Sequence, residues 1–282
     1  MTKNIKEDKR NLKFLLSWDG SDFFGYQIQP QGTTVQSVFE SSWKTLTQED
    51  ASLVGCSRLD SGVSSYKFVA NLKTFSKLLT NDIPKHLNGI IQQKFNKKLY
   101  VYSCEEVSDT FHARYSSLGK HYRYRLWLGR NPIFPQSRNA WQFILPTFAS
   151  HKSIHNVIKK FEGTHDFSFF RAKDCCAHST RRTINRIALI PHPNLPELLD
   201  IHFWGNGFLK QMIRYIVGTS LEVVKRKIED KMIDRALKNE NHDLRIFRAP
   251  AHALVLKDVF YSCESYKRSM KTYLLTSKVN FT

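Results

Sequence analysis

The sequence predicts an α/β protein built as two similar halves, and three observations carry that expectation. A strand pattern at 12–19 is followed by an amphipathic helical pattern, and the same strand-then-helix grammar returns at 198–224. The composition, 41% hydrophobic and 24% charged over 282 residues, suits one large core or two of ordinary size.

The first strand, "LKFLLSWD" at 12–19, is rich in apolar and aromatic residues. Thr33 followed by Gln36 fits a capping box, and the helix it would open turns Val35, Val38, Phe39 and Leu46 inward. At 120–129, "KHYRYRLWLG" alternates Tyr122, Tyr124, Leu126 and Leu128 with Arg123, Arg125 and Trp127, a period of two that marks a strand with unlike faces. "LLDIHFW" at 198–204 reads as another strand. Gly205, Asn206 and Gly207 then turn into a helix whose apolar positions, Phe208, Leu209, Met212, Ile213, Ile216, Val217, Leu221 and Val224, share one face. The halves are expected to divide near residue 108, giving 11–108 and 109–264, with a polar arm at 1–10 and a basic tail at 265–282 as appendages.

Charge narrows the function. Forty-three Lys and Arg against 25 Asp and Glu leave a net +18, which points to an anionic partner, nucleic acid first, with an evenly solvated basic surface as the plainer account. No run of about eighteen apolar residues is present and the first ten residues lack a signal-peptide core, so a cytoplasmic protein with no membrane contact is expected. The five cysteines are odd in number and two adjoin, a poor disulfide framework. Cys175, Cys176 and His178 raise a zinc site, but no second pair at ligand spacing accompanies them. Thiols in a loop are the simpler reading, and no metal is expected.

The loop "GCSRLDSGVSS" at 55–65 is too rich in Gly and Ser for a helix or regular strand. Asp60 next to Arg58 in a cleft would stay ionised and suit nucleophilic or electrostatic chemistry. The alternative is an aspartate capping its own turn, with Gly62 supplying a positive φ.

Nine stretches in order resemble one family, the tRNA pseudouridine synthases of the TruA type, over almost the whole chain. Its Y-D-G-x-x-Y-x-G-W-Q-x-Q corresponds to "WDGSDFFGYQIQ" at 18–29 and its T-V-Q to 34–36. Its G-R-T-D-A-G-V-H-A corresponds to "SRLDSGVSS" at 57–65, F-H-A-R is intact at 111–114, and K-x-Y-x-Y is "KHYRY" at 120–124. G-x-H-D-F-x-x-F is complete at 163–170, R-T-I at 182–184 and F-L-x-x-M-I-R-x-I-V-G at 208–218, and "APAHALVLKDV" at 249–259 resembles A-P-x-x-G-L-x-L-x-x-V.

The resemblance implies two ferredoxin-like halves with antiparallel sheets flanked by helices and an active-site cleft between them. It implies cofactor-free isomerisation of uridine to pseudouridine, in the anticodon stem-loop (tRNA positions 38–40), by a homodimer. Asp60 matches the catalytic aspartate, acting by nucleophilic addition or a glycal route. Arg58 matches the arginine that helps displace the target, Tyr122 the tyrosine that stacks on the flipped uracil, and Arg214 the guanidinium that pairs with the carboxylate. Leu254 matches a substrate-binding position, while Lys120, Arg123 and Arg114 fall where the RNA backbone is contacted. From the residues alone, Tyr122 also reads as a core tyrosine, and Arg214 with Lys210 and Gly218 as the polar side of a helix.

The loop departs from the family at Ser57, Leu59, Ser61 and Ser64, and Ala253 stands where the family has glycine. Those changes leave a second expectation in view, an RNA-binding or RNA-folding protein with little turnover, or a synthase redirected to another uridine. A hydrolase using Asp60 lacks a metal-ligand cluster, a phosphate loop or a partner histidine at useful spacing.

Overall fold

The computed structural model describes residues 9–133, 137–240 and 245–276. The chain falls into two units, Met1–Ser117 and Leu118–Thr282.

In the first unit β1 (Arg10–Trp18) lies between two antiparallel partners, β3 (Ser64–Thr74) and β4 (Leu99–Val107), and the short β2 (Val54–Gly55) pairs with β3. Leu12, Phe14, Leu16 and Trp18 alternate inward and are buried. Helix α1 (Val35–Thr47) lays Val35, Val38, Phe39 and Trp43 over them, with the Phe39 and Trp43 rings 5.0 and 6.0 Å from that of Phe14 in edge contacts. Burying each such side chain contributes about 1.5–3 kcal/mol. Leu46, expected on the inner side, is only half-buried.

The capping box is one residue later than expected. Thr34 caps α1 by accepting from the Ser37 N–H at 3.2 Å, while the Ser37 hydroxyl accepts from the Thr34 N–H at 3.1 Å. Gln36 does something else. Its amide donates to Glu40 at 2.8 Å and its oxygen accepts the Ile28 N–H at 3.1 Å, tying the preceding segment to the helix. Helix α2 (Ile83–Ile90) follows β3, and its Asn88 exchanges both amide bonds with the Val101 backbone at 2.9 and 2.8 Å, so one side chain acts as an extra strand residue for β4.

The expected division at 108 falls too early. Asn11 donates to the carbonyls of Ser108 and Phe111, both at 2.9 Å, and Asn71 accepts the Ala113 N–H at 2.8 Å, so 109–117 are bound to the first sheet by buried amides.

The second unit is a sheet in the order β10 (Leu254–Phe260), β5 (Gly119–Trp127), β9 (Leu195–Gly205), β8 (Arg181–His192), β7 (Gly163–Asp166), each antiparallel to its neighbour. The short β6 (Trp141–Gln142) runs parallel to the end of β5. Helices α3 (His151–Ile158) and α4 (Met212–Val224) pack together, and α5 (Lys231–Leu237) follows. Helix α4 begins at Met212, not near Phe208, because Gln211 takes a left-handed conformation (φ 63°) immediately before it.

Both faces of β5 are covered, which is why its two residue sets are unlike. Tyr122, Tyr124 and Leu126 lie on one face, and His121, Arg123 and Trp127 on the other. The second face is closed by α6 (Cys263–Thr276), through which the chain departs from the expected appendage at 265–282. Tyr266 is buried against Phe260, its hydroxyl donates to Asn185 at 2.8 Å, and Trp204 donates to Ser269 at 3.0 Å. Tyr266, Met270 and Tyr273 recur at helical spacing, a short stripe hidden among lysines and arginines. Of the predicted appendages, 1–8 and 277–282 lie outside the described residues. No helix among the described residues is long and apolar enough to cross a membrane.

Candidate active site

The loop carrying Asp60 is held in shape by the segment at 18–29. Asp60 opens a tight turn closed by the Val63 N–H on its carbonyl at 3.1 Å, with Gly62 at φ 81° in the third position, where a type II turn requires glycine. The positive φ expected of Gly62 is therefore present.

Four contacts clamp that turn. The Trp18 indole donates to the Val63 carbonyl at 3.0 Å, and Gly20 N–H to the Ser64 hydroxyl at 2.9 Å. Tyr26 N–H donates to the Leu59 carbonyl at 3.1 Å, and Gly62 N–H to Phe23 at 3.4 Å. Two glycines make the approach feasible. A Cβ on Gly20 would lie 2.5 Å from the Gly62 backbone, and Gly25 (φ 92°) would place one 2.7 Å from the Leu59 carbonyl. Behind them Trp18, Tyr26 and Phe68 form one aromatic group, in which Tyr26 donates to Leu53 at 2.8 Å and burial pushes its phenol well above the ordinary range. The result presents Asp60 half-buried and Arg58 exposed from a rigid base.

The other expected residues divide by unit and by face. In the second unit Tyr122 and Tyr124 stand opposite Leu256 and Leu254 in register, so Tyr122, Tyr124 and Leu254 share one sheet face. Tyr122 meets the Phe208 ring edge-on at 5.1 Å and is 4% exposed. Arg214 is also buried. Its Nε donates to the Ala249 carbonyl at 2.8 Å, and the Tyr124 hydroxyl donates to the next carbonyl, Pro250, at 2.9 Å. Burial raises the Tyr124 phenol, partly opposed by the Arg214 charge, so it remains a neutral donor. One turn on, Gly218 admits the same segment, since a Cβ there would sit 2.1 Å from the Phe247 carbonyl. Arg214 and Gly218 thus face the segment at 247–250 and not solvent, while Lys210 is exposed, so the reading of a solvated helix side holds for Lys210 alone.

Among the expected RNA contacts, Arg114 is exposed beside Tyr115 in the first unit, and Lys120 is buried on the Tyr122 face. Arg123 departs from expectation. It is 6% exposed on the opposite face, 3.9 Å from Asp200 and under α6, where a phosphate has no access. Arg125 takes Asp200 in a two-pronged pair at 2.7 Å from both Nε and Nη2. The period of two separated the faces correctly but does not say that α6 covers the face with Arg123. Among the described residues no three of His, Cys, Asp and Glu gather as metal ligands would, and Cys175, Cys176 and His178 are a loop of free thiols and an exposed imidazole.

A tRNA pseudouridine synthase A from Thermoanaerobacter sp. (strain X514) is 32% identical to this chain over 253 residues, covering 89% of this chain and 100% of the relative. The chain belongs to the tRNA pseudouridine synthase family. Proteins of the same description from Clostridium kluyveri (31% over 252 residues, 89% of this chain and all of the relative) and Aquifex aeolicus (32% over 252 residues, 88% and 98%) agree. The family pattern described as tRNA pseudouridine synthase matches residues 157–262, from within α3 to the end of β10. That span contains Arg214 and Leu254.

Of the four departures in the Asp60 loop, Leu59 and Ser64 are buried and support the turn, while Ser61 is exposed and Ser57 half-buried. Leu59 is 8% exposed and packs inward, and Ser64, where the family has histidine, is the acceptor for Gly20. Ala253 is fully buried, and its carbonyl takes the Arg125 N–H at 3.0 Å. The retained Arg58, Asp60 and Gly62 are those that face outward or set the turn. What sequence reading missed here are backbone partners, the carbonyls of Ala249 and Pro250, which no residue pattern announces.

Proposed function

We propose that this chain isomerises uridine to pseudouridine in tRNA, in the anticodon stem-loop at positions 38–40, with Asp60 as the essential carboxylate. The observation that carries this reading is the ordered Asp60–Val63 turn in a chain 32% identical over 89% of its length to a tRNA pseudouridine synthase A. The carboxylate adds to the sugar or removes a proton from it while the glycosidic bond breaks, the uracil turns, and a carbon–carbon bond to the same ribose forms.

In this reading Arg58, exposed beside Asp60, contacts the backbone and helps lift the uridine from its stack. Tyr122 offers a ring to the flipped uracil, a stacking contact worth about 1–3 kcal/mol that offsets much of the unstacking cost. Leu254 borders the base, and Arg214 stands at the position of the family's active-site arginine. Lys120 and Arg114 serve the RNA backbone, with the net charge of +18 drawing the polyanion in. The reaction needs no cofactor. The working form in this reading is a homodimer in the cytoplasm.

The experiment uses tRNA transcripts tritiated at uridine C5. Release of tritium by the wild type and none by Asp60→Asn, with both binding tRNA alike, supports the reading. Equal binding with no release by either protein would replace it with an RNA-binding protein that lacks turnover.

A further inference from the structure

Of the cations expected to hold RNA in the second unit, Arg123 is closed under α6 and Lys120 is buried on the Tyr122 face, so neither meets a strand lying over the surface. Other cations do. The turn at 205–211, between β9 and α4, carries Phe208 against the Tyr122 ring and gathers basic residues from three further segments around it.

The first segment is the loop at 171–180. Ala172 N–H donates to the Lys210 carbonyl at 3.0 Å and the Lys210 ammonium pairs with Asp174, which brings the exposed Lys173 and the exposed Lys210 together. The second is the start of β8. Asn206 N–H donates to the Thr183 carbonyl and Thr183 N–H to the Asn206 side-chain oxygen, both at 3.1 Å. Arg182 therefore lies over Gly207, where a Cβ would stand 3.7 Å from its Nε, and its guanidinium donates to the carbonyls of Ser179 and Arg181 at 2.9 and 2.7 Å. Arg181 itself is exposed. The third is the segment at 245–250, from which the exposed Arg248 donates to the Gln211 side-chain oxygen at 3.0 Å.

Acids are fewer on this face. Asp174 is taken by Lys210, and Asp166 stands opposite Arg181 in the β7–β8 ladder, where it accepts the Ser168 N–H at 2.8 Å. The surplus attracts a polyanion, and it repels a second copy of a chain whose net charge is +18.

We propose that Lys173, Arg181, Arg182, Lys210 and Arg248, set around the 205–211 turn, form a surface that holds phosphates of the RNA strand flanking the target uridine. The inference rests on the reading of Tyr122 as the residue that stacks on the uracil, because Phe208 joins the turn to that ring. Guanidinium groups meet phosphate oxygens through paired N–H donors, and the ammonium groups add compact charges. Each phosphate so held releases counterions, which makes the contact readable in salt.

The test measures tRNA binding by the full chain at several salt concentrations, in the Asp60→Asn background so that turnover does not consume the substrate. Arg181→Gln combined with Arg248→Gln should weaken binding and flatten the slope of log Kd against log salt by about 0.7–0.9 for each cation removed. Lys267→Gln combined with Lys271→Gln removes the same charge from α6, which covers the opposite sheet face, and should leave the slope nearly unchanged. Equal effects of the two pairs would assign the change to net charge and overturn the proposal. A second measurement needs no basic residue replaced. Bound tRNA should shield Lys173 and Lys210 from an acetylating reagent, read by mass spectrometry, and leave Lys267 and Lys271 open. Lys173 and Lys210 reacting alike with and without tRNA also overturns the proposal. A wild type that shows this shielding but releases no tritium sinks the isomerase reading and keeps the RNA surface, whereas normal tritium release without shielding sinks the surface alone.

Discussion

The Ser64 hydroxyl accepts the Gly20 N–H at 2.9 Å, binding the segment after β1 to the far side of the Asp60 turn. Two motifs 44 residues apart in sequence are therefore one piece of structure, and its tolerance is small because Gly20 touches the Gly62 backbone.

Gly20→Ala should push the turn away from its clamp, since the new methyl would meet main-chain atoms 2.5 Å away that have no rotamer to escape into. Overpacking of that kind costs about 1–3 kcal/mol. Urea denaturation should show the loss, and tritium release should fall by more than the unfolded fraction explains. Unchanged stability would mean that the two backbones are not in contact.

Arg214→Lys keeps the charge but loses the guanidinium Nε–H that binds Ala249. A buried carbonyl left without its donor costs about 1–3 kcal/mol. The midpoint of denaturation should drop accordingly, and tritium release should fall by more than any loss of tRNA binding explains. A lysine variant as stable and as active as the wild type would show that charge suffices at this position.

His121 and His202 share a hydrogen bond of 2.8 Å under α6, between the Trp204 and Tyr273 rings. Burial first, and then the charges of His202, Lys257 and Arg123 for His121, and of Arg123, Lys257 and Arg125 for His202, hold the two near about 2 and about 3. Unfolded histidine binds its proton near pH 6.5, so the unfolded state carries the extra protons below that value and stability falls with pH. The contribution is whole above about pH 6.5 and shrinks as pH drops toward the folded values, with a slope of up to about 1.4 kcal/mol per pH unit per histidine. Denaturation at pH 7.5 and 5.0 should show this slope in the wild type and less of it in His202→Asn. Identical slopes in both proteins would place the acid sensitivity elsewhere.

Tyr266→Ala should uncover Trp204 and Phe260 and orphan Asn185, a large-to-small change costing about 3–5 kcal/mol. Tryptophan emission should shift red, and the midpoint of unfolding should fall. A change under about 0.5 kcal/mol, the size of an ordinary surface substitution, would mean that α6 is not docked in solution.

Sequence alone placed β1, α1, β5, β9 and α4 and pointed to the candidate chemistry. Period-two alternation at 120–128 and apolar spacing at 212–224 follow from backbone geometry, and Arg58, Asp60 and Gly62 stood out because few residues suit a charged turn. Only tertiary structure decided that α6 covers the Arg123 face of β5 and so buries Arg123, that 109–117 stay with the first sheet through Asn11 and Asn71, and that 263–276 form a docked helix. It also decided which carbonyls receive Arg214 and Tyr124. The reason is that periodicity records how a chain divides its own faces, whereas burial and hydrogen-bond partners depend on what distant segments bring to them, and backbone carbonyls are the same in every residue.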